Sequence, residues 1–125
     1  MANTLGDFVK ELTALMKDAD LQLPLKDERP WHQLFFELKR NRAAQDRPVF
    51  FDRLVFDWDG PSPKCQELSE FIHALHWNAT VTASNPTYET LTLSAEVADR
   101  WRPAPVTAFH QAALQQARTK FSAAA

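Results

Sequence analysis

Glycine is nearly missing from this chain of 125 residues, with only Gly6 and Gly60 present. Glycine-rich loops that cradle phosphate need close backbone approach at several positions, so that class of site is excluded. Cysteine occurs once, at Cys65. One thiol cannot build an internal disulfide framework, and its isolation fits a reducing, cytoplasmic setting. No apolar stretch approaches the ~18 residues needed to cross a bilayer, so no membrane association is expected. The start, Met1 to Asp7, has neither the basic nor the apolar region of a secretory signal. Positive charge is not in excess either. Fourteen Lys and Arg against sixteen Asp and Glu give a net charge of −2, a poor composition for coating nucleic acid.

Aromatic side chains are plentiful: nine Phe and four Trp within a hydrophobic fraction of 45%. A chain of this length and content folds as one domain that buries roughly two-thirds of its unfolded surface. Leu5, Phe8, Val9, Leu12 and Leu15 or Met16 follow a three-and-four rhythm, which predicts a helix over 4–18 capped by Thr4. Residues 18–29, interrupted by Pro24, read as a connecting loop. Pro30 suits the first turn of a second helix with Trp31, Leu34, Phe35 and Leu38 inward. Alternation over residues 49–58 predicts a strand with Phe50, Leu54, Phe56 and Trp58 on one face, ended by the turn Asp59-Gly60-Pro61. Ser62 and Pro63 then suit the N-cap and first turn of a third helix carrying Leu68, Phe71, Ile72 and Leu75. A hairpin follows, from two β-rich runs at 79–82 and 88–93. Ser94 caps a short helix ending near Trp101, and a last helix runs over 105–121 with Phe109, Ala113 and Ala117 inward.

The resulting order contains helix–helix–strand–helix–hairpin, the order of a winged-helix domain. The expected class is α+β, a single domain over 1–125. Its winged-helix-like core spans about 30–101, with helices 4–18 and 105–121 outside it. Phe56 to Pro63 (FDWDGPSP), followed by Glu67-Leu68, Phe71, Leu75, Ser84-Asn85-Pro86, Tyr88 and Leu93-Ser94, resembles small prokaryotic winged-helix-like proteins. In those, an F-x-x-x-G-P turn introduces an amphipathic helix and a hairpin; Panacea-type antitoxin domains have a related turn. The resemblance covers about half the chain and implies a fold rather than an activity.

Leu54 to Gly60 (LVFDWDG) also resembles the first motif of haloacid-dehalogenase-type phosphatases. That resemblance implies an Mg²⁺-dependent reaction with Asp57 as nucleophile and Asp59 as acid/base. Pro61 stands where that family carries threonine, and the 65 residues after Gly60 lack a strand–helix–strand series. Two aspartates closing a turn explain the string without catalysis. Glu70, His73 and His76 lie along one side of the third helix, near Cys65. They do not complete a four-ligand metal set, so no metal or cofactor is expected.

The exposed side of that helix offers Gln66, Glu67, Ser69, Glu70, His73 and His76, with Lys64 its only cation. Such a surface is a weak footprint for phosphate. Lys39, Arg40, Arg42 and Arg47, with Arg53 beyond them, form the basic stretch that would contact nucleic acid if any does. The paired aromatics Phe35-Phe36 and Phe50-Phe51 exceed what one small core needs, so one of each pair is expected at an interface. The leading expectation is therefore a non-enzymatic domain acting through a protein partner or self-association. Its apolar surface would lie around Phe36 and Phe51, with polar help from His73 and His76. A DNA-binding transcriptional regulator is the alternative, and the phosphatase a distant third.

Overall fold

A computed structural model describes residues 4–21, 23–24, 29–41, 44–60, 62–77, 81–82, 90–93 and 95–121. Helix α1, Leu5–Asp18, starts where Thr4 Oγ1 accepts the backbone N–H of Asp7 at 3.2 Å. Its apolar stripe is buried along its whole length, with Phe8, Val9, Leu12 and Met16 fully covered. Strand β1 is the pair Leu23–Pro24, inside the stretch expected to be loop. Helix α2, Arg29–Arg40, buries Trp31, Leu34, Phe35 and Leu38 as its periodicity predicts.

The expected strand over 49–58 is replaced by a short 3-10 helix, Val49–Arg53, and a brief strand β2, Asp57–Asp59. The reason lies in the two phenylalanines. A strand must send neighbouring side chains to opposite faces, whereas a tight helical turn lets both Phe50 and Phe51 face inward. They stack on each other with ring centroids 4.5 Å apart, and both are buried. Val49 and Val55 are left in solvent, at 71% and 66% exposure.

Strand β3, Ser62–Lys64, pairs antiparallel with β2 across a turn in which Gly60 takes φ +63°. That backbone angle is open to glycine at little cost. Ser62 and Pro63, expected to open the third helix, belong instead to this strand, and helix α3 runs over Gln66–Trp77. Strands β4, Val81–Thr82, and β5, Thr90–Leu93, form the expected hairpin. β5 also pairs with β1, giving a sheet of order β1-β5-β4. Helices α4, Ala95–Trp101, and α5, Ala108–Lys120, complete the described elements. The class is α+β, dominated by helix.

Helix α1 is at the centre rather than beside the core. It packs on α3, α4 and α5, and the Phe8 ring meets Phe35, Phe50, Phe51 and Phe109 at 5.5 to 5.9 Å. Each such ring stabilises the fold by roughly 2–3 kcal/mol through apolar burial. Among the described residues no helix is long and apolar enough to cross a membrane.

Candidate functional site

The aromatic pair on α2 divides between two environments. Phe35 is fully buried, while Phe36, one residue on, is half-buried at the surface. A step of one residue turns a helix by about 100°, which carries Phe36 off the inward stripe. Its ring meets Phe56 at 5.4 Å and Trp58 at 5.4 Å, both edge-on. The β2–β3 hairpin, whose β3 strand packs against α2, brings Trp58 there. Trp58 remains 62% exposed. Arg40, one turn beyond Phe36, lays its guanidinium 5.7 Å from the Phe36 ring, and Lys39 holds its ammonium 6.0 Å from Phe56. Phe36, Lys39, Arg40 and Phe56 line an open groove of about 280 Å³.

The four cations of the expected nucleic-acid surface fare differently. Lys39 Nζ donates to the Leu54 carbonyl, which ties it to the chain leading into β2. Arg47 is withdrawn from solvent, its side chain 9% exposed. Its guanidinium donates to the carbonyls of Leu38 and Lys39 at 3.5 and 2.8 Å and pairs with Asp52 at 3.0 Å. The end of a helix leaves carbonyls without intrahelical partners, and Arg47 satisfies two of them while lying over Phe51. It is a clamp on α2 rather than a surface contact. Arg40 keeps its charge in solvent. Arg42 lies outside the described residues.

Of the expected interface residues, Phe36 sits in the groove. Phe51 has 0% exposure and offers nothing to a partner, because the 3-10 turn draws it inward. His73 is exposed on α3, and the side chain of His76 lies outside the described residues. Trp58, expected on the strand's inner face, is the residue that reasoning from alternation misplaced. Only the shortness of β2 and the turn chemistry beside it hinted that it could escape the core. Asp57 is exposed on the same hairpin, with Lys64 as its register partner. No cluster of three His, Cys, Asp or Glu suited to a metal ion occurs among the described residues.

A second cleft, about 310 Å³, runs between α1 and the end of α4 past Lys10, Glu11, Trp101 and Arg102. Three of its charges, Lys10, Glu11 and Arg102, already have partners. Arg102 grips Asp18 at 2.8 and 2.9 Å and Asp99 at 2.7 Å. The guanidinium at hydrogen-bond distance holds the Asp18 carboxyl below its ordinary range. Lys10 sits 5.8 Å over the Trp101 ring. Beside this cleft, buried His110 stacks on Phe8 and lies 2.9 Å from Glu11. Its Nδ1 accepts the backbone N–H of Thr107 at 3.0 Å, which leaves the proton on Nε2, facing Glu11. The Thr107 hydroxyl is 2.8 Å from the same Nδ1. Hydroxyl, imidazole and carboxylate in series have the composition of a proton relay, yet Thr107 Oγ1 also accepts from the His110 backbone at 3.2 Å. The set is a capping box at the start of α5.

Cys65 is buried, and its backbone N–H donates to Nδ1 of buried His32 at 3.0 Å. Burial pushes the thiol above its ordinary value, away from the reactive thiolate. No protein-family model, curated protein or solved structure matches the chain.

Proposed function

We propose that this is a winged-helix-like, non-enzymatic interaction module that engages a protein partner through the aromatic surface of Phe36, Phe56 and Trp58, with Arg40 over Phe36. The observation that carries this reading is Trp58, a large aromatic left 62% exposed against Phe36, whose ring also carries the Arg40 guanidinium. Exposed Trp with a neighbouring Arg is the composition enriched where binding energy concentrates in interfaces. In support of the winged-helix assignment, the first strand pairs with the second strand of the hairpin that follows α3, in the order β1-β5-β4.

DNA binding is the weaker reading. Arg47 is spent on α2, Lys39 on Leu54, and the exposed side of α3 carries Glu67 and Glu70. Phosphate neutralisation supplies most non-specific affinity, and among the described residues of the basic stretch Arg40 and Arg53 are the exposed cations left to provide it. Light scattering and affinity capture with the wild type and a Trp58→Ala, Phe36→Ser double variant test the proposal. The variant is expected to lose a partner or an assembly state that the wild type has. Identical behaviour of the two proteins refutes it, and a salt-dependent gel shift would favour the DNA reading instead.

A further inference from the structure

The β2–β3 hairpin and the groove beside it carry opposite charge. On the hairpin, Trp58 is 62% exposed and Asp57 before it is exposed as well. Residues 57–64 hold two carboxylates, Asp57 and Asp59, against one cation, Lys64. The hairpin is thus an acidic strand around an uncovered indole. The groove of about 280 Å³ is the reverse, lined by the rings of Phe36 and Phe56 and the cations Lys39 and Arg40. Glu37, the acid on that stretch of α2, is already held by Lys120 at 3.0 Å. Among the described residues neither Asp57 nor Arg40 is in an ion pair. Trp58 touches Phe36 but does not line the groove, so the indole and the groove lie side by side as two separate surfaces.

We infer, resting on the interaction reading above, that the partner is a second copy of this chain. Trp58 of each protomer seats in the groove of the other, and Asp57 of each pairs with Arg40 of the other. A two-fold dimer needs one patch that complements itself, so that residue i meets j while j meets i. An indole and a groove that are neighbours on one surface meet that need, because a single rotation satisfies both halves. Cations within about 6 Å of an indole centre are attracted to its face, and Lys39 and Arg40 offer them in the groove. The planar fork of Arg40 also takes a carboxylate in two-point contact. A wholly acidic partner would meet Asp57 and Asp59, and a wholly basic one would meet Lys39 and Arg40. A copy of the chain offers each charge its opposite. Pairing of β2 with the second copy's β2 has no place in this arrangement. Centred on Trp58, it would set Asp57 against the other strand's Asp59, and like charges directly opposite destabilise a ladder. The contact is small. Aromatic side chains bury roughly 150–250 Å² each. Two indoles and two Phe36 rings therefore total less than the ~1,200 Å² at which stable interfaces begin, so the dimer is weak and concentration-dependent.

Sedimentation velocity of the full chain at low salt, from about 10 µM to about 1 mM, reads the dimer directly. The wild type is expected to pass from monomer to dimer across that range, and added salt should shift it back. Trp58→Ala should weaken dimerisation at least roughly tenfold, with circular dichroism confirming the fold of every variant. Arg40→Asp sets two carboxylates together at both contacts, and Asp57→Arg sets two guanidinium groups there, so each variant alone should be monomeric. Mixed in equal amounts the two should form a heterodimer, because both contacts then join unlike charges. A wild-type dimer with no such rescue, or one untouched by Trp58→Ala, overturns the inference. So does a wild type that stays monomeric throughout. If the Trp58→Ala, Phe36→Ser variant then still loses a captured partner, the interaction reading stands without the dimer. A monomeric wild type with no partner lost removes both.

Discussion

Phe35 and Phe36 are neighbours in sequence and opposites in environment. Phe35 joins a buried cluster in which four phenylalanines surround Phe8, two edge-on and two tilted. Phe36 heads an outer group with Phe56 and Trp58, roofed by cations rather than by more protein. Both groups are built from aromatic contacts within 6 Å, edge-on at 5.4 Å in the outer one and mixed from stacked to edge-on in the inner one. The inner one is closed on every side and fixes the fold, whereas the outer one is open on one side and has interaction energy left to offer. Even the arginines follow the division. Arg47 is folded in against α2 and Phe51, while Arg40 lies over Phe36 in solvent.

Breaking the inner group should have the largest effect. Phe8→Ala is expected to cost about 3–5 kcal/mol of unfolding free energy, read by urea denaturation, because four rings lose a common partner. Arg47→Ala should cost about 1.5–3 kcal/mol, since two carbonyls at the end of α2 lose a charged donor. Arg40→Ala, measured beside it, should change stability by less than about 0.5 kcal/mol. A smaller effect is tied to pH. The Cys65 thiol is raised in the folded state and ordinary in the unfolded one, so the unfolded chain releases this proton first. Stability from this group is whole below the ordinary thiol value and declines as pH rises past it; Cys65→Ser should flatten the decline in urea titrations above pH about 9. Asp18 works in the other direction. Its lowered value stabilises the fold above the ordinary carboxylate range and is lost in acid, and Asp18→Asn should cost no more than about 1 kcal/mol because the pair is exposed. Smallest of all, Trp58→Ala should leave the thermal midpoint within about 2 °C of wild type. A large loss there would erase the distinction between the two aromatic groups.

The helices were legible because their signals are local. Thr4 with Asp7, Pro30, and the stripes from Leu5 to Met16 and Trp31 to Leu38 each state their own element within a few residues. Strand β1 was not, since two residues containing a proline carry no alternation and exist only because β5 lies alongside. Residues 49–58 misled for a different reason. Their alternation is real, but the core around Phe8 had room for both Phe50 and Phe51, and tertiary packing outweighed the pattern. Phe36 was readable as half of a surplus pair. Phe51 and Arg47 were not, because burial by a distant α1 and hydrogen bonds to the end of α2 leave no mark within their own segments.

The contact between Phe8 and the rings of Phe109 and His110 also sets a schedule for biosynthesis. About 100 residues separate the two sides of that contact, and a ribosome adds about 5–20 residues per second. Helix α1 is therefore translated roughly 5–20 s before the segment that covers it. During that interval its apolar face is a natural target for chaperones, and folding of the centre waits on the emergence of α5.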